Sequence, residues 1–274
     1  MKPWETVPLV EYTKTEEILH TVTHAAGLVL SGCIVVFCLV PSIKSGDILR
    51  IICASLYLFG TTVMFLTSVL YHSAEKPERK RVLRLLDHCM IFFAVAGTAT
   101  GCVPTVYETA GKTATVLMAV FAWLGALSGL ILTFFSFKKT KKLQMCLYVG
   151  TGLACAIAGG KAFTILPKDA LYYLLTGGAF LLTGVALYGI GKKKRYFHAA
   201  FHVFIDIGLT IFFLGIKMFL DFEHKKAPCL QGALICLSVE LFCLFQLCGK
   251  LYRMSVVAGG FYFAFMSLAD ASCY

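Results

Sequence analysis

The sequence predicts an all-α, polytopic membrane helix bundle, and three observations carry that prediction. Of the 274 residues, 58% are hydrophobic and 15% are charged, where soluble domains hold roughly 45–50% and about 25%. The mean hydropathy is +0.79. The apolar residues also gather into runs of about 20, the length of a bilayer-crossing helix.

The runs fall at 22–43, 49–71, 87–107, 113–136, 144–166, 170–190 and 197–219. Charged or Pro/Gly-bearing stretches separate them, among them IKSGD, AEKPERKRVLR, FKKTKK, LPKD and GKKKR. The first run follows a polar N-terminal segment, 1–17. The second ends in TSVLYH. The third opens with LLDHCM, and Pro104 near its end is expected to kink or stop it. The fourth to sixth carry glycines, which allow close helix approach; Gly150 and Gly152 lack the strand–helix context of a phosphate loop. The seventh opens with HAAFH. This predicts a seven-span core over 18–220. A hydrophobic C-terminal extension, 221–274, adds one or two further segments, at 229–248 and about 255–269.

Charge sets the expected orientation. The N-terminal segment and the loops 73–86, 137–143 and 191–196 hold 15 Lys and Arg, against 8 on the opposite side. The positive-inside rule therefore places the N-terminus in the cytoplasm of a multi-pass cell-membrane protein. The net charge of +10 reads as orientation and contact with anionic lipid, not nucleic-acid binding. Glu5, Glu11, Glu16 and Glu17 are wrong for the basic start of a cleavable signal peptide. The 12 cysteines form no CxxC pair and read as small apolar side chains.

The ionisable residues within the apolar runs converge. His72 ends span two, Asp87 and His88 begin span three, and His198 and His202 begin span seven, all at the cytoplasmic end. Polar groups at such depth are costly and default to function. His198 and His202 share one helix face at i, i+4, and so do Ser68 and His72. Three imidazoles suit zinc, which when catalytic keeps its fourth position for water and lowers that water's pKa. Asp87 is placed to take a proton, and Ser68 to hold Asp87 or a substrate carbonyl. The competing reading is of interfacial histidines bonded only to water or headgroups.

The motifs SVLYH (68–72), LLDHCMIFFAVAGTATG (85–101) and HAAFH (198–202), with EEILHTVTHAAG (16–27) ahead of them, resemble the hemolysin III / progestin and adipoQ receptor family over residues 11–219. The resemblance implies seven spans with a cytoplasmic N-terminus. Through the similar alkaline ceramidases it implies zinc on His72, His198 and His202, with Asp87 and Ser68 beside it. Three features depart from the family. His20 and Ala25 stand where Asn and Gly are usual, so that Glu16, His20 and His24 form either an accessory metal site or a solvated helix entry. Asp206 stands at an apolar position, where it is expected to hold the free nitrogen of His202, the competing reading being a carboxyl that faces another polar group in the bundle or is protonated. The extension, with Glu240 in it, has no counterpart in a seven-span core; His224 lies on the far side from the histidines.

These readings lead to a zinc-dependent hydrolase of a lipid amide or ester whose substrate enters from the inner leaflet, and the resemblance implies a ceramide-like class. Two alternatives stand beside it. One is a pore-forming, cytolytic protein, although no row of charges is available to line a channel. The other is a receptor or membrane-stress sensor whose structural zinc is closed by four protein ligands.

Overall fold

The computed structural model describes residues 3–191 and 194–222. Among them are six helices long and apolar enough to cross a membrane: α1 (Lys14–Ser45), α2 (Ile48–Ser73), α3 (Pro77–Gly101), α4 (Val103–Ala158), α5 (Lys168–Gly191) and α6 (Phe197–Phe222). No strand occurs among the described residues. The expected runs at 229–248 and 255–269, with His224 and Glu240, lie outside the described residues.

The helix ends follow local chemistry. A capping box starts α1: the Glu16 N–H donates to Thr13 Oγ1 at 3.3 Å and the Thr13 N–H donates to Glu16 Oε2 at 2.9 Å. The helix thus begins two turns ahead of the apolar run. Further on, α1 widens into a π turn over Val35–Leu39 just ahead of Pro41, where a proline ring crowds the carbonyl four residues back. Gly46, at φ 69°, ends it, and Asp47 caps α2 by accepting from the Arg50 N–H at 3.2 Å.

Two expected loops are helical instead. Most of AEKPERKRVLR forms the first turns of α3, because Pro77 sits in the first turn, where its missing N–H costs nothing, and Lys and Arg propagate a helix well. α3 ends at Gly101, short of residue 107, and Pro104 belongs to the first turn of α4. α4 runs for 56 residues but leaves helical geometry at Gly111 (φ 82°, ψ 176°) and Ser136 (φ −164°, ψ 86°). A straight helix of that length would be roughly 84 Å long, far beyond a hydrocarbon core of about 30 Å. The break at Ser136 divides it into 112–135 and 137–158, each about the length of one crossing. The expected fourth span and the fifth as far as Ala158 lie in α4, while 159–166 hold a turn and the short helix Ala162–Ile165; FKKTKK continues the helix beyond the break.

α5 packs on α6, α6 on α1, α1 on α2, α2 on α3 and α3 on α4. The α2–α3 contact is close enough to exclude a side chain. A Cβ on Gly60 would run into the Phe93 carbonyl, and one on Gly97 would lie 2.8 Å from the Leu56 carbonyl. Leu30, Ile34, Tyr57, Phe65, Phe213 and Ile216 fill the core between α1, α2 and α6. Outward residues such as Phe135 (87% exposed) and Ile157 (80%) suit lipid rather than water. Cys38, Cys53, Cys89 and Cys155 are buried, as small apolar side chains.

The N-terminal segment folds back over the end of the bundle where α2 finishes and α3 begins. Arg81 Nη1 donates to the carbonyls of Glu5 (3.2 Å) and Val7 (2.9 Å), and Arg84 donates to that of Pro8. Val7 is fully buried against Leu85 and Phe137. Arg84, expected on a solvated basic face, is buried, with its Nη1 on the Pro8 carbonyl and its Nε without a hydrogen-bond partner.

Candidate metal centre

Five histidines from three helices meet at this end of the bundle. α1 supplies His20 and His24, α2 supplies His72 in its last turn, and α6 supplies His198 and His202 in its first turns. His20, His72, His24 and His202 are buried. One ligand atom each of His20, His72 and His198 lies within 4.8 Å of the other two. His202 adjoins this group, with its Nε2 3.1 Å from His198 Nε2. Two imidazoles of the sequence-derived set, His72 and His198, thus share a nitrogen cluster with His20, and the third, His202, stands beside it with its ring centre 5.2 Å from that of His72. The solvated-entry reading of His20 is overturned by its complete burial. Glu16 does not hold it, because that carboxylate is taken by the Thr13 cap and by the Tyr196 N–H at 3.2 Å.

Glu17, which the sequence reading passes over, orients His72. Its Oε2 lies 2.7 Å from His72 Nδ1, and its Oε1 lies 2.5 Å from Lys80 Nζ. With the carboxylate at Nδ1, His72 donates from that nitrogen and presents a lone pair at Nε2, the arrangement found around metal-bound imidazoles. His72 Nε2 is buried and has no hydrogen-bond partner. The signal in the sequence is a carboxylate one turn before His20, on a helix that packs against α2.

Asp206 pairs with His24 instead of His202. His24 Nδ1 lies 3.1 Å from Asp206 Oδ1, and its ring centre is 4.0 Å from that of His202. The i, i+4 spacing does put Asp206 below His202 on α6. The short carboxylate reaches across to α1, and His202 Nδ1 keeps no hydrogen-bond partner. Ser68 lies beside Asp87, whose charge also acts on His24. His88 belongs elsewhere: its Nδ1 meets the Arg84 carbonyl at 3.0 Å and its ring packs edge-on against Phe137.

Tyr12 roofs the cluster from the N-terminal segment. Its ring stacks on His198 at 5.3 Å and stands edge-on to His20 at 4.7 Å. Burial, with Tyr71 nearby, raises its hydroxyl pKa far above the usual phenol value, so Tyr12 stays neutral and donates no charge to the site.

A cation fits the side chains present. His20 Nδ1 and Nε2, His72 Nε2 and His202 Nδ1 are buried without hydrogen-bond partners. Unpaired buried polar atoms of this kind are costly, and nitrogen donors from imidazole suit zinc and its first-row neighbours.

A family model described as "Haemolysin-III related" matches residues 12–213. The chain is 27% identical over 208 residues to "Hemolysin-3 homolog" of Bacillus subtilis (strain 168), covering 76% of this chain and 96% of that protein. It is 26% identical over 205 residues to "Hemolysin-3" of Bacillus cereus, covering 74% and 91%. It is 25% identical over 183 residues to "Monocyte to macrophage differentiation factor" of Homo sapiens, covering 64% and 74%.

Proposed function

The chain belongs to the haemolysin-III related family, and from that premise we propose that it is a zinc-dependent hydrolase acting on a lipid amide or ester, ceramide-like in class, taken from the inner leaflet. The observation that supports this reading most is the set of buried imidazoles with unpartnered nitrogens that α1, α2 and α6 direct at one point. His72, His198 and His202 are the residues that would hold the metal in a hydrolytic state. When bound, zinc would polarise a carbonyl and make a water acidic enough to attack near neutral pH.

The chain's own residues supply the rest. Glu17 and Lys80 fix the tautomer of His72. Ser68 stands beside the Asp87 carboxylate and helps to orient it. Asp87 accepts the proton of the attacking water and returns it to the departing amine or alcohol, so the carboxylate is regenerated in each turnover. The apolar outer faces of the helices give an acyl chain a lateral approach from lipid.

Fatty-acid release from a panel of ceramides and other acyl lipids, measured on purified protein, tests this. The expected result is release that stops on zinc removal and is lost in His72→Ala and Asp87→Ala. Retained zinc without turnover across the panel favours the sensor reading. Dye leakage from protein-bearing liposomes, indifferent to both substitutions, favours the pore.

A further inference from the structure

We propose that His20 is a fourth direct ligand, so that the resting metal is closed in a cage of four imidazoles: His20, His72, His198 and His202. The inference rests on the metal reading above and adds how the site is kept shut.

The geometry of the rings carries it. The ring centres stand 4.5 Å apart for His20–His72, 4.7 Å for His20–His198 and 5.1 Å for His20–His202. They stand 5.7 Å apart for His72–His198, 5.2 Å for His72–His202 and 4.6 Å for His198–His202. Six similar distances among four points describe a tetrahedron. A tetrahedral zinc with nitrogens at ~2.0–2.1 Å sets the centres of its imidazole rings about 5 Å apart. A three-histidine site has no need of a fourth ring at the same distance from the other three.

The state of His20 points the same way. It is fully buried, and both its ring nitrogens lack a hydrogen-bond partner. His72 is held by Glu17, and His24 by Asp206. An imidazole with neither nitrogen satisfied inside a bundle is a costly group unless a ligand occupies one of them. Tyr12 lies edge-on to this ring and stacks on His198, which covers the side from which solvent would otherwise reach the cation.

His20 therefore takes the position that a three-ligand site leaves open to solvent or substrate. Hydrolysis requires His20 to withdraw, and α1 together with the Tyr12 segment is the element that would carry it away. His20→Asn removes the ligand and opens the position permanently.

X-ray absorption spectroscopy of the zinc-loaded full-length protein decides the matter. The expected wild-type spectrum fits four imidazoles per zinc. His20→Asn is expected to fit three plus an oxygen donor and to bind zinc more weakly by over the roughly 10–100-fold typical of losing an outer-shell partner. The wild-type spectrum stands on its own should the variant misfold. Three imidazoles in wild type, unchanged in His20→Asn, overturn the proposal and leave the three-histidine site intact. Absence of zinc from zinc-replete wild type overturns both. Four imidazoles with no lipid turnover in either form uphold the cage and sink the hydrolase.

Discussion

Glu17 ties three helices through one carboxylate: it sits on α1, orients His72 on α2 and pairs with Lys80 on α3. Glu17→Ala should lower zinc affinity by roughly 10–100-fold while leaving one zinc bound at saturation, as read by titration against a competing chelator. Asp206 behaves differently because it holds His24 and not the cage. Asp206→Leu should leave zinc affinity nearly unchanged and destabilise the protein by about 1–3 kcal/mol, since it strands a buried imidazole donor; thermal unfolding in detergent measures it. The two carboxylates also mark what the sequence could and could not reveal. HAAFH and SVLYH announce their histidines by spacing on one face. Which carboxylate reaches which imidazole depends on how α1 lies between α2 and α6, and no spacing within one helix encodes that. His20 was visible as an oddity, but its burial belongs to the packing.

At the scale of the elements, the α2–α3 crossing depends on the absence of two side chains. Gly60→Ala and Gly97→Ala each drive a methyl into the backbone of the facing helix and should cost roughly 1–3 kcal/mol through overpacking. Gly32→Ala, with open space around its Cβ position, should change stability little, and comparative melting separates the cases. Hydropathy located each of the six long helices, because runs of about 20 apolar residues have few other uses. It misplaced ends. The first turns of α1 and α3 are polar yet helical, through the Thr13–Glu16 capping box and through Pro77 at a position that asks for no N–H. FKKTKK carries enough charge to resemble a loop, but a single non-helical residue, Ser136, makes the turn.

For the whole molecule, a cation bound by residues of α1, α2 and α6 is a cross-link between helices distant in sequence. Anything that binds only the folded state stabilises it by mass action, by about 2.7 kcal/mol at a hundredfold excess over Kd. Stripping zinc should therefore lower the melting temperature, and zinc, in preference to magnesium, should restore it, since imidazole suits the former and oxygen the latter. The most direct test of the account is the metal content of purified protein after zinc-replete expression, beside His72→Ala and His198→Ala. The account predicts about one zinc per chain in wild type and a large loss in both variants. Metal-free wild-type protein, or the same zinc content in all three, would contradict it.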